Sequence, residues 1–355
     1  MMGSKDKFIG VLRFEEAGTL SLPTLFWQIH GETIRRWQRE GLPKDVHVVA
    51  HLGLERVELM PINIGTLPHY ERGKLEEIEE WRLSMDREFK ATIGKEIEVV
   101  EEQPPIREKK DWEWFKTLLN PHSPARYPRF WEHYKKVVSE RTYALGIYAG
   151  SPLSWVAEWL GIRGFCRALN EDKQWLTEMI EWLTDFVIET TRKALIDVKV
   201  DFAMLSEGRA YKLLSAVGDE VITSLTKKPY ERLVGHLREH GIELIIMHAV
   251  GNVEPLLPTW LDVGINAISP IQVTSGMDVI SLRRRYGKSL ALIGGIDREA
   301  LSWSKRDVTE EVMHKVPQLL EEGGYIPAPD GVVNANIPWE NMRYCLQLLR
   351  SIAQV

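Results

Sequence analysis

The sequence predicts an α/β fold, a (β/α)8 barrel of the TIM type with an N-terminal helical and loop extension. Three observations predict it. Apolar runs with little polar alternation recur along the chain, as strands buried on both faces of a parallel sheet require. Segments of helical period separate the runs, which gives repeated strand-helix units. The runs also close on single polar or charged residues, namely Glu207, His248, Gln272, Asp297 and Asp330. In a barrel built of such units the active site forms at the carboxyl ends of the strands, and these five residues fall there.

In chain order, Thr24–His30 is apolar and aromatic, and 32–41 reads as a helix stopped by Gly41 and Pro43. Val57–Asn63 is the first strand. The stretch from Leu75 to Arg87, dense in Glu and Arg, reads as a solvated helix face, and Glu98–Glu102 as a hairpin strand. Residues 104–129 form a proline-interrupted loop between short helices. Thr142–Gly150 is the next strand, and a helix starts near Trp155. Residues 170–197 form a long helix, with Trp175, Met179, Leu183, Phe186 and Ala194 recurring on one face.

The Val200–Glu207 strand follows, then a helix over Thr226–His240, and strands closing on His248, Gln272, Asp297 and Asp330. Asp307 and Glu310 have the spacing of a capping box ahead of a helix, and Pro338 opens the last helix. No low-complexity linker divides the chain. The expectation is one compact domain over 1–355, in which the first ~140 residues supply the first strand and decorate the barrel.

The chain has 355 residues, 44% hydrophobic and 27% charged, enough to bury a sizeable core. Its formal charge of -6 argues against nucleic acid or an anionic membrane surface as partner, because both are bound through a basic excess. A small molecule or another protein remains. Cys166 and Cys345 form no local metal or disulfide pattern, and no stretch reaches the ~20 apolar residues of a membrane span. A cytoplasmic location is expected.

Several stretches carry a family resemblance: 37–43 (WQREGLP), 248–253 (HAVGNV), 276–279 (GMDV), 285–287 (RYG), 294–297 (GGID), 323–327 (GGYIP) and 338–341 (PWEN). With these in order, the chain resembles the uroporphyrinogen decarboxylase superfamily, which includes the corrinoid-linked methyltransferases. The resemblance implies a (β/α)8 barrel. The decarboxylase itself grips its substrate with an arginine-bearing N-terminal segment, whereas Met60–Tyr70 here carries no arginine. An octacarboxylate needs bidentate arginine partners. The thiol-methylating members hold zinc with a His-x-Cys pair and a later Cys, but here Ala249 and Val250 follow His248 and the later position falls near Asp330.

The chain looks closer to the first-step methyltransferases, which take a methyl group from a methylated compound and pass it to the corrinoid of a separate protein. Some of these hold zinc with carboxylate and histidine, a role that Glu207 and His248 fit. The catalytic candidates are thus His248, Glu207 and Asp330, and the substrate-binding candidates Trp27, His30, Asn63, Tyr148 and Gln272.

Each candidate has a plainer role available. His248 could be tied to a backbone carbonyl at the rim, Glu207 could pair with Arg209, and Asp330 could form a turn between Pro329 and Gly331. Asp297 and Asp278 read as helix caps. The aromatics Phe26, Trp27, Trp112, Trp114, Tyr127, Phe130, Trp131 and Trp155 suit a ring-lined pocket for a planar substrate or a corrin face, and equally the packing of covering helices. The leading expectation is demethylation of a small methoxylated, aromatic compound onto Co(I), by an enzyme for which a homodimer is one assembly to expect. The alternatives are a tetrapyrrole decarboxylase and a non-catalytic barrel that binds a corrinoid protein or a ligand.

Overall fold

A computed structural model of the protein describes residues 3–65 and 104–353. Among them, seven strands run parallel in the order of the chain: β1 (Val57–Leu59), β2 (Ala144–Tyr148), β3 (Phe202–Ser206), β4 (Ile245–His248), β5 (Ala267–Ile271), β6 (Ala291–Gly294) and β7 (Tyr325–Ile326). Consecutive parallel strands linked by helices curl the sheet into a TIM-type barrel. The expected helix over 75–87 and hairpin strand over 98–102 lie outside the described residues.

The seam between β7 and β1 is closed by the N-terminal segment. Pro23 pairs with Glu55, and Ile29 with Val333, both in parallel sense. The Thr24 amide donates to the Glu55 carbonyl (2.8 Å), and the Val333 amide to the Gln28 carbonyl (2.8 Å). The segment over residues 22–30, with a single 3-10 turn at Thr24–Phe26 between its two bridges, thus stands where an eighth strand would.

Helix α1 (Ser4–Leu12) lies across the amino ends of the strands. Its Lys5 amide donates to Thr142, just before β2, and its Val11 carbonyl accepts from Gly324, just before β7. Phe8 of α1 meets Phe202 edge-on at 5.3 Å. A Cβ placed on Gly146 would sit 2.4 Å from the Phe202 ring. Phe202 therefore fills the barrel floor. Because strand side chains alternate, Met204 and Ser206 also face inward, while Ala203 and Leu205 face the helices.

The outer layer contains α2 (Gly31–Arg39), α3 (Val48–His51), α4 (Lys109–Thr117), α5 (Trp131–Ser139), α6 (Pro152–Glu171), α7 (Lys173–Asp197), α8 (Ala210–Val217), α9 (Asp219–Glu239), α10 (Leu257–Asp262), α11 (Val279–Tyr286), α12 (Arg298–Ser302), α13 (Lys305–Glu322) and α14 (Trp339–Ile352). Several expected boundaries shift, the first strand ending at Leu59 and the helix expected near Trp155 starting at Pro152. The long helix starts at Lys173, because the Asp172 side chain accepts from the Trp175 amide and caps it. Helix α9 begins seven residues earlier than its apolar spacing suggests and carries Pro229 inside it. The capping box ahead of α13 is Ser304 with Asp307, one turn before the Asp307 and Glu310 pair read from the sequence.

Asp297 and Asp278 are caps, as expected: their carboxylates accept from the Glu299 and Ser281 amides. Among the described residues no helix is long and apolar enough to cross a membrane.

Candidate functional site

His248 ends β4, paired in register with Ser206 at the end of β3. Its Nδ1 lies 3.4 Å from the Ser206 hydroxyl, which places the imidazole on the same inward face. The side chain is partly exposed at the carboxyl end of the barrel. Burial holds its pKa down at about 4, so the ring is neutral at physiological pH. Tyr148 ends β2 on the inward face, in register with Met204, and its hydroxyl shares a 2.5 Å hydrogen bond with Ser151. Desolvation raises the phenol pKa, and the nearby Glu207 carboxylate adds to the shift.

Glu207 is completely buried on the other side of the sheet. Its Oε2 accepts from the Ser154 amide (2.7 Å), and its Oε1 from the Leu153 amide (3.3 Å) and the Tyr230 hydroxyl (2.5 Å). The carboxylate thus caps the first turn of α6, where free N–H groups and the helix dipole favour an anion. The expected pairing with Arg209 does not form, since Arg209 instead meets Glu158 at 3.9 Å. Glu207 reaches the site through its backbone, whose amide donates to the His248 carbonyl (2.8 Å).

Burial raises the Glu207 pKa from 4.5 to about 7, against the lowering effect of its hydrogen bonds. A raised folded-state pKa means that the contribution is fully present below pH 4.5 and is lost as pH rises through 7. Each unit is worth about 1.4 kcal/mol, so the swing is about 3 kcal/mol. Urea unfolding of wild type and Glu207→Gln at pH 4.5 and pH 8 should show the wild-type advantage falling by that amount. An unchanged difference between the two proteins would refute the assignment.

Asp330 is also completely buried. It accepts from Arg298 Nε (2.6 Å) and the Arg298 amide (3.3 Å), and more weakly from the Thr274 amide and hydroxyl (3.4 Å each). It ties together the loops after β5, β6 and β7. Gln272 does the same between β4 and β5, with its Oε1 accepting from the Gly251 amide at 2.6 Å.

The family model for uroporphyrinogen decarboxylase (URO-D) matches residues 89–352, about three quarters of the chain. The chain belongs to the uroporphyrinogen decarboxylase family. Among solved structures, a methyltransferase from Methanosarcina mazei superposes with a TM-score of 0.63 over 99% of each chain, at 14% sequence identity. That similarity is one of fold. No curated protein matches by sequence.

In this member of the uroporphyrinogen decarboxylase family the proposed site residues separate into distinct places. His248 and Tyr148 stand at the inner strand ends. Glu207 serves the helix layer, and Asp330 and Gln272 clamp rim loops. Trp27 is buried within the seam segment, its indole N–H without a partner among the described residues. His30 caps α2, its Nδ1 accepting from the Glu32 amide. Asn63 is buried after β1, its Oδ1 accepting from the Gly65 amide at 2.8 Å. Most of the aromatics pack the helix layer: Trp112 lies 5.4 Å from Trp182 and 6.3 Å from Trp159, and Tyr127 lies 4.9 Å from Trp131.

Among the described residues no three His, Cys, Asp or Glu side chains gather into a group able to hold a metal ion. Both Glu207 oxygens already accept hydrogen bonds. Glu207 and His248 therefore do not fit a resident zinc. Sequence reasoning missed Ser206, Ser151, Tyr230 and Arg298. The one available signal was Ser206, two positions after Met204 and directly before the run-ending glutamate.

Proposed function

We propose that the protein is a methyltransferase that moves a methyl group from a small methoxylated, aromatic compound to the Co(I) of a separate corrinoid protein. The observation that carries this reading is His248, a neutral imidazole on the inner face at the carboxyl end of the barrel. Family membership and the fold likeness to a methyltransferase support it. The methyl-to-oxygen bond breaks with its electron pair left on oxygen, while the Co(I) electron pair forms the new bond to carbon. The difficulty is the departing aryl oxide.

A neutral imidazole eases that departure by hydrogen bonding rather than by full proton transfer. In the tautomer in which the Ser206 hydroxyl donates to Nδ1, the ring proton sits on Nε2 and is free for the ether oxygen. Inside a barrel mouth of low dielectric such a bond is worth more than in water.

The decarboxylase reading is weaker, since the stretch Met60–Tyr70 lacks arginine. The test mixes purified protein, a Co(I) corrinoid protein and a panel of methoxyarenes and methylamines, and follows the spectrum for conversion to methyl-Co(III). Conversion with a methoxyarene, and no turnover of uroporphyrinogen, is the expected result. No transfer from any methoxyarene or methylamine would leave the ligand-binding barrel as the better reading.

A further inference from the structure

Helix α9 ends on two histidines one turn apart, His236 and His240, a spacing that sets both on the same side of a helix. Their rings meet edge to face with centres 4.7 Å apart. The hydrogen bonds around them fix where each ring carries its proton. The Thr191 hydroxyl on α7 donates its one proton to the Val187 carbonyl (2.8 Å), so it accepts from His236 Nε2 at 3.2 Å. The His236 carbonyl can only accept, so His240 Nδ1 donates to it at 2.8 Å.

Each neutral imidazole is thereby left with one bare nitrogen, Nδ1 of His236 and Nε2 of His240. Neither nitrogen bonds to another group among the described residues, and neither is one of the unpartnered atoms sealed from solvent. Burial first, and then the neighbouring His240, hold the His236 pKa down at about 4, so its lone pair stays available at physiological pH.

Metal-binding histidines are held in this way, with one ring nitrogen donating to a protein oxygen and the other left to the metal. The spacing agrees. With metal–nitrogen bonds of about 2.0–2.1 Å the ring centres lie about 3.2 Å from the ion, so two rings at about 90–110° stand about 4.5–5.2 Å apart. The 4.7 Å between His236 and His240 falls inside that range.

We propose that His236 and His240 form a bidentate site for a divalent copper, nickel or zinc ion. Imidazole nitrogen selects these ions over magnesium and calcium, which take oxygen ligands. Two protein ligands leave the other positions to water, so the site is open and exchangeable. That agrees with the lack, among the described residues, of any cluster of three ligating side chains. It is also separate from the candidate site, because β4 starts at Ile245, just after this pair, and carries His248 at its far end. A bound ion ties the last turn of α9 to the residue that ends it.

The test is calorimetric titration of the untagged full chain with zinc, nickel and magnesium chlorides in a buffer that does not chelate. Wild type should bind one equivalent of zinc or nickel, and magnesium should not compete for it. His240→Asn keeps a donor for the His236 carbonyl, and His236→Gln keeps one for the Thr191 hydroxyl, but each removes a bare nitrogen. Each should weaken zinc binding at least tenfold, equivalent to about 1.4 kcal/mol. Zinc should also raise the melting temperature of wild type and leave that of both variants unchanged.

Three results would overturn the proposal: no zinc or nickel bound by folded wild type, magnesium bound as tightly as zinc, or zinc bound by a folded variant as tightly as by wild type. His240 is partly exposed, so His240→Asn decides the matter should the more buried His236→Gln fail to fold.

Discussion

Asp330→Ala is expected to lower stability by about 3–5 kcal/mol, the scale for removing one partner of a buried ion pair. Asp330 has no exposed surface, and its Arg298 partner is 17% exposed at the side chain. Removing the carboxylate leaves that guanidinium largely desolvated and also frees the Thr274 contacts. The loops after β5, β6 and β7 lose their common tie together. Asp330→Asn keeps the shape and two acceptor lone pairs, so it should cost less, about 1–3 kcal/mol. Replacing both partners with apolar residues, Asp330→Leu with Arg298→Met, should recover much of the loss, since no charge is then left buried alone. Urea unfolding at pH 7 measures all three. A cost below ~1 kcal/mol for Asp330→Ala would show that the pair is solvated and the clamp unimportant.

His248→Ala should reduce methyl transfer about 10²-fold or more, the usual loss when a group assisting a leaving oxygen is removed. The fold should survive, because His248 anchors the sheet through its backbone carbonyl, which the substitution keeps. Ser206→Ala is the companion variant. It leaves the imidazole in place but removes the hydroxyl that selects its tautomer, so a smaller loss, about tenfold, is expected. The pH profile separates this role from that of an ordinary acid. With its pKa near 4, His248 stays neutral through the physiological range, and its contribution should be flat from pH 5 to 8 and fall only as pH drops through 4. A profile that falls as pH rises through 6 to 7 would instead require an imidazolium donor. Wild-type rates in His248→Ala would end the proposal.

The fold was readable because a parallel barrel writes each strand as an apolar run and each crossover as a helical period. All seven described strands fall inside runs visible in the sequence. The roles of the run-ending residues were less readable, for a physical reason. A strand buried on both faces shows no polar alternation, so nothing local distinguishes the inward position of Ser206 and His248 from the helix-facing position of Glu207. The partner of Glu207, Tyr230, lies 23 residues away on α9, and local spacing carries no trace of it. Asp297 and Asp278 were legible as caps because a cap is a contact within two or three residues. Asp330 reads as a turn former, and only the fold brings Arg298, 32 residues before it, into contact.

The seam segment also bears on how the chain comes to fold. Thr33 Oγ1 donates to the Val333 carbonyl and Trp37 Nε1 to the Ile337 carbonyl, each across 300 residues. Contacts that distant in sequence carry a high loop-closure cost and form late. During synthesis the stave that closes the cylinder emerges ahead of all seven strands and has no partner on its far side until residues 333–337 have left the ribosome. Until then β7 and β1 present unpaired edges, which are open to mispairing with other chains. Cooperative closure is a property of the whole polypeptide, so a chain cut short of residue 333 would hold most of its strands and still lack a closed wall.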